Sequence, residues 1–281
     1  MKKFIKSIAL LIPALAMSAS CSMFKLDNFD GPNAQVNGKI MDIVTGEKIG
    51  IEAATANSWD WSTWSNVTTV SYGSLVVIEQ GWDAEADQDW MVRFDGMYTN
   101  NLVFAGEYRF SSKKLPCYEP SAEKNTFILK QGKNRVDIGL LPFCRIHNPQ
   151  FSYNATTKKL VATFYVELGD PSRANQVTNV AFCANTQLFV GCSNMNLAKD
   201  DPGAKAKNVQ PGELITLEID TTLGANANLF KYSSQDRYLR LAAMAEGNGY
   251  NSNKYYNFTP VYKISADFSK VEEVTWNENE W

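Results

Sequence analysis

The chain has 281 residues, of which 44% are hydrophobic, 12% aromatic and 20% charged. That composition builds packed cores and excludes a disordered tail. With 27 basic residues against 30 acidic ones and a single histidine, His147, the chain lacks the basic, aromatic-interleaved patch of a nucleic-acid binder and has little material for histidine-dependent catalysis.

Lys2, Lys3 and Lys6 precede a short apolar run from Ile8 to Met17, and Ser18-Ala19-Ser20 precede Cys21. The run is shorter than the roughly 20 residues that cross a bilayer, so residues 1–20 read as a cleaved secretory signal. A cysteine at this point resembles the bacterial lipobox, with Ser18 where that motif usually has Leu. The resemblance implies a lipid on Cys21 and a body held at a membrane by acyl chains alone. The alternative is a plain secretory signal that ends beside a cysteine. A reactive cysteine at a new N-terminus has little structural use, which favours the lipoprotein. Without the three signal lysines, 27 − 3 = 24 basic residues face 30 acidic ones, a formal charge of −6. Anionic head groups are disfavoured partners at that balance.

Residues 21–33 form a polar tether that ends near Gly31-Pro32. From Ala34 apolar and polar residues alternate through Asp42, and Thr45-Gly46-Glu47 turns the chain. Val70–Glu79, Trp90–Phe94, Leu102–Phe110 (broken by Gly106), Asn125–Lys130 and Arg135–Leu141 follow as short strands. Asp95-Gly96 is a strong turn dipeptide. Past Pro142 the pattern continues with Lys159–Glu167, Val177–Ala184, Gln187–Cys192, Leu214–Asp220, Tyr238–Glu246 and Phe258–Ile264. Lys199–Pro211 reads as a polar loop, and Leu239–Ala245 has helical propensity but is too short to favour a helix. The predicted fold is all-β, with two consecutive β-sandwich domains at 34–143 and 144–281, the second Ig-like.

Four cysteines lie beyond Cys21: Cys117, Cys144, Cys183 and Cys192. Cys183 and Cys192 suit two strands of one hairpin, which would leave Cys117 to pair with Cys144. Free buried cysteines that act as small apolar residues are the alternative. Cys144 and His147 form a C-x-x-H without the second pair of a zinc finger. His147 therefore reads as a strand residue, and neither a metal nor a cofactor is predicted.

Three segments carry candidate chemistry. Ser58 to Asn66 sets Trp59, Trp61 and Trp64 among Ser, Thr and Asp. This is either core packing or an exposed platform for stacking sugar rings. Trp82 and Trp90 bracket an acidic run, Asp83 to Asp89, that lacks the calcium-loop pattern. Paired acids could serve a glycosidase only at a set separation, and no catalytic residue is assigned. Tyr250, Tyr255 and Tyr256 lie in an Asn-rich segment suited to a binding loop at one end of the second sandwich. Asp220-Thr221-Thr222 resembles a short O-glycosylation signal of exported proteins of gut anaerobes.

Val36-Asn37-Gly38-Lys39-Ile40-Met41-Asp42 with Thr45-Gly46-Glu47 resembles the opening of carboxypeptidase-regulatory-like domains, which are prealbumin-type sandwiches. Phe94-Asp95-Gly96-Met97-Tyr98 and Phe104-Ala105-Gly106-Glu107-Tyr108-Arg109 resemble the second half of such a domain. With the signal and the Leu26-Asp27-Asn28-Phe29-Asp30-Gly31-Pro32 leader, the whole mature chain resembles the domain-of-unknown-function 3823 family. Its members are two-domain surface lipoproteins associated with starch-utilisation-type (Sus-like) glycan uptake systems. The resemblance implies an outer-membrane, non-enzymatic accessory. Its expected partners are a glycan, an outer-membrane transporter and a glycan-binding lipoprotein. The competing expectation is a structural or adhesive module whose tryptophans pack protein against protein.

Overall fold

The computed structural model describes residues 31–52, 59–60, 65–66, 73–83, 85–192, 195–224, 226–231, 235–246 and 255–275. The predicted signal and Cys21 lie outside these residues. The first half contains β1 (Ala34–Asp42), β2 (Trp59–Asp60), β3 (Ser65–Asn66), β4 (Ser74–Glu79), β5 (Gln88–Met91) and β6 (Met97–Val103). It continues with β7 (Gly106–Ser111), β8 (Cys117–Tyr118), β9 (Thr126–Leu129), β10 (Gly132–Arg135) and β11 (Ile138–Pro142). The second half contains β12 (Cys144–Asn154), β13 (Lys159–Leu168), β14 (Val177–Asn185), β15 (Lys205–Val209) and β16 (Ile215–Asp220). The short helix α1 (Asn226–Phe230) precedes β17 (Arg237–Ala245), β18 (Asn257–Phe258), β19 (Tyr262–Ile264) and β20 (Val271–Glu273). The fold is all-β, as predicted.

In the first half one sheet runs β10-β1-β11-β8, with β6 also on β1, and the other runs β5-β4-β7-β9. The alternation along β1 turns Ala34, Val36 and Ile40 inward, where they meet Leu75, Val77 and Trp90 in one apolar core. Burying each such side chain contributes about 1.5–3 kcal/mol. Asp95-Gly96 forms the predicted turn. The Arg93 N–H donates to the Met97 carbonyl at 2.7 Å, and Gly96 takes a φ of +82°. A side chain is excluded there twice over, because a Cβ would also lie 2.7 Å from the Ile49 carbonyl oxygen. In the G-x-Y strand Tyr108 is buried, and its hydroxyl donates to the Phe104 carbonyl at 2.8 Å.

In the second half β12-β13-β16 packs against β15-β14-β17-β19-β20, with β18 also on β17. Leu160, Phe164, Phe182, Leu217 and Leu241 fill its core. Leu239–Ala245 lies within the strand β17. Burial on both faces makes Leu241–Ala245 continuously apolar and erases the period-two signal there. Two predicted elements are corrected. Gln187–Cys192 is not a strand; β14 instead pairs with β15 and β17. Lys199–Pro211 is not all loop, because it contains β15, an edge strand whose alternate residues face water. The short strands β8 and β20 had no signal of their own and depend on their sheet partners. Among the described residues no helix is long and apolar enough to cross a membrane.

Candidate functional site

The two sandwiches meet where β1 ends and β12 begins. Asp42 closes β1 as an Asx-turn residue, its Oδ1 accepting from the Val44 N–H at 2.9 Å. The same carboxylate takes two bonds from Arg145 on β12, from Nε to Oδ2 and from a terminal nitrogen to Oδ1 at 3.0 Å. Burial alone would raise the Asp42 carboxyl. The Arg145 bonds and the Val44 N–H outweigh it and hold the group below its ordinary value.

Arg240, on β17, is fully buried and is held by backbone carbonyls. Its Nε donates to Thr259, and its terminal nitrogens donate to Ile51, Val190 and Phe94 at 2.9–3.1 Å. Its guanidinium also lies 4.4 Å from the Phe258 ring centroid. Burial pulls the group down to about 10, which leaves it cationic at neutral pH. Ile51 and Phe94 belong to the first half, so this side chain joins the two sandwiches. Asn257 adds a second link, accepting from the Cys144 N–H at 2.8 Å and donating to the Pro116 carbonyl at 2.9 Å. The Phe258 N–H donates to the Gly50 carbonyl at 3.1 Å. A Cβ on Gly50 would sit 2.4 Å from the Phe258 carbonyl oxygen, so only glycine permits this approach.

Along this seam runs a cleft of about 400 Å³. Its apolar lining includes Ile49, Phe94, Phe258 and Val261, and its polar lining includes Thr45, Glu47, His147 and Thr275. Asp42, Glu47, Asp95 and Glu273 face Lys48, Arg145 and Arg240. The two arginines are engaged by Asp42 and by carbonyls, so the lining is balanced and is not an anion trap. His147 lies on β12, as predicted, with Nε2 3.0 Å from Oε2 of Glu167. Phe189 is outside the cleft's lining but beside it, 53% exposed, with its ring edge-on to the lining residue Phe94 at 5.3 Å between centroids. Apolar faces among hydroxyls, carboxylates and carbonyls suit a neutral polyhydroxyl ligand.

The aromatic candidates read from sequence do not converge on this cleft. Trp90 is 3% exposed and packs against Tyr98, Tyr108 and Phe127 in the first core, so it is not a ligand platform. Tyr255 is also 3% exposed and cannot stack on a ligand. Tyr256 is half-buried against Phe258. Trp82 is 55% exposed, in the loop after β4. Trp59 lies on β2, paired with Asn66 of β3. Trp61, Trp64 and Tyr250 lie outside the described residues. The hydroxyls of Asp220-Thr221-Thr222 are occupied: Thr221 donates to the Lys158 carbonyl and Thr222 to Asp220. Cys117, Cys144, Cys183 and Cys192 are not bonded to one another here, though the Cys183 and Cys192 sulfurs lie 3.3 Å apart. Burial pushes the Cys144 thiol up to about 12 and that of Cys117 well above its ordinary value. Asp42, Thr45, Glu47, Phe94 and Asp95 lie in the motifs that carry the fold resemblance, but nothing in the sequence marked them, Arg145 or Arg240 as one site. Arg240 reaches Ile51 and Phe94 across 189 and 146 residues, and Arg145 meets Asp42 across 103.

No protein-family model matches the chain, and no curated protein does. Among solved structures, it is similar to one described as a "putative carbohydrate binding protein" from Bacteroides uniformis. The identity is 26%, over 84% of this chain and 100% of that one, with a TM-score of 0.64. A DUF3823 family protein from Parabacteroides merdae is 19% identical over 83% of this chain and 99% of that one, with a TM-score of 0.63. Another, from Bacteroides ovatus, is 20% identical over the same shares, with a TM-score of 0.58. The chain has the fold of these DUF3823 family proteins, as its sequence motifs predicted, and none of the three is described as an enzyme.

Proposed function

We propose that the chain is a non-enzymatic member of the DUF3823 family that binds a neutral glycan in the cleft between its two sandwiches. Lipidated at Cys21, it serves a Sus-like uptake complex at the outer-membrane surface. The observation that carries this reading is the cleft itself: apolar rings beside hydroxyl and carboxylate groups, with no uncommitted arginine to demand an anionic ligand. The likeness to the Bacteroides uniformis protein along that protein's whole length supports it. The seam is pinned by Asp42–Arg145, Arg240 and Asn257, so the cleft exists before ligand arrives and binding need not order it. Phe189, exposed and braced by Phe94, supplies a ring against which a sugar's C–H face can stack.

Retardation of the purified protein in gels that contain neutral plant or host polysaccharides tests the reading. Phe189→Ala and Glu47→Ala should each lose retardation with little change in Tm. Unchanged retardation in both variants moves the site out of the cleft. If no polysaccharide retards the wild type, the competing role in protein–protein contact gains ground. That role rests on Ile43 and Val44, which stand 62% and 67% exposed on the turn beside the cleft.

A further inference from the structure

Cys183 and Cys192 sit together at the seam with their sulfurs in direct contact. Cys183 lies on β14 directly opposite Arg240 of β17. Cys192 lies nine residues on, at the end of an irregular segment, and the two sulfurs are 3.3 Å apart. Both belong to a small cluster with Ala181, Val190, Ala242 and Phe258, at the seam between the sandwiches. Past the end of β14, residues 186–191 have no strand partner. The segment through Cys192 is nevertheless tied to the first sandwich, through Arg240 and by two direct contacts. The Val190 carbonyl accepts from Arg240, which also holds Ile51 and Phe94. The Cys192 N–H donates to Glu52 at 3.1 Å. Phe189 packs edge-on against Phe94.

We infer that Cys183 and Cys192 form an intramolecular disulfide that fastens segment 186–192, and with it Phe189, to the seam. The inference stands whether or not the cleft binds glycan. The oxidant is an exogenous disulfide, either that of a thiol–disulfide exchange protein or oxidised glutathione. One cysteine thiolate attacks it, forms a mixed disulfide and expels one thiol. The second cysteine sulfur then attacks the protein side of the mixed disulfide and expels the other. Two protein thiols lose two electrons and two protons in all, and the exogenous disulfide becomes two thiols. Burial raises the Cys192 thiol, so exchange in the folded protein is slow and the bond, once closed, resists attack.

The experiment uses the full chain, refolded in an equimolar mixture of reduced and oxidised glutathione, then denatured and alkylated. Trypsin releases Ala174–Lys199, which contains both cysteines and no internal lysine or arginine. The expected product is this peptide two hydrogens lighter than its dithiol and without alkyl groups. Cleavage after Phe189 should leave its two parts linked until reductant is added. A doubly alkylated peptide overturns the inference. Melting tests the fastening: reductant should lower Tm by about 5–10 °C for a loop of this length. The Cys183→Ala/Cys192→Ala variant should melt at one temperature with or without reductant. A closed bond whose reduction leaves Tm unmoved overturns the fastening role.

Discussion

Two regions set carboxylates against cations, and their surroundings make them unequal. On the first sandwich Glu85, Asp87 and Asp89 form a ladder with Arg109, Lys113 and Lys114. The carboxylates of that ladder are about half exposed. At the seam Asp42 and Arg145 make one pair, with side chains only 6% and 11% exposed. Water screens the ladder, and exposed pairs are worth about 0–1 kcal/mol each. At the seam, removal of one partner strands a charge that water reaches poorly. Stability therefore follows where charges sit more than how many pairs they form. The seam, with the Asp42–Arg145 pair and the buried Arg240, should govern how the sandwiches hold together.

The sharpest way to break this comparison is Arg240→Met. It removes a cation and takes from the carbonyls of Thr259, Ile51 and Val190 the donor that Arg240 supplies, while the Phe94 carbonyl keeps only the Ile51 N–H. The expected loss is about 3–5 kcal/mol, read by urea denaturation. A loss below about 1 kcal/mol would mean that the seam does not depend on this residue. Trp90→Ala should cost a similar amount, about 3–5 kcal/mol, because it hollows the first core. Glycan retardation, measured on the folded fraction, should survive that change. Trp82→Ala, at an exposed position, should cost under about 0.5 kcal/mol.

Asp42 gives a smaller and pH-dependent effect. Its folded carboxyl lies below the ordinary value, so its contribution is fully present above about pH 4. That contribution is lost as pH falls through the lower folded value. Asp42→Asn should cost about 1–2 kcal/mol at neutral pH, a figure discounted for the part-exposed Arg145. The difference between variant and wild type should shrink below pH 4, as measured by Tm across an acid series. A constant difference down to pH 2 would remove the carboxylate's charge from the account.

The sequence carries the fold where a rule is local. The alternation of β1, the Asp95-Gly96 turn and the Gly106-Glu107-Tyr108 strand each depend on neighbours a few residues away. They appear in the structure as read. The site is different in kind. Asp42 has the look of an ordinary strand-end acid until Arg145 arrives from 103 residues later. Arg240 sits in a strand so apolar that only the three-dimensional partners of its guanidinium show why it is there. Trp90 misled for the opposite reason: an acidic run beside it suggested a wet loop, yet period two turned its own ring inward. Residues of conspicuous chemistry were thus legible, while the cleft was assembled from inconspicuous ones.

The ladder supplies the smallest effect and the cleanest control. Lys114 faces Asp89 at 2.6 Å, but their side chains are 27% and 47% exposed. Both ends are long or mobile enough in water that holding them together costs rotamer freedom and offsets most of the attraction. Lys114→Ala should therefore change stability by no more than about 0.5 kcal/mol at low salt. Near 1 M salt the screening length falls to about 3 Å, and that difference should vanish. Asp42→Asn should keep most of its cost in the same salt, because the seam excludes the ions that screen the ladder. If Lys114→Ala costs as much as Asp42→Asn, or if salt removes both effects alike, burial is not what distinguishes the two regions.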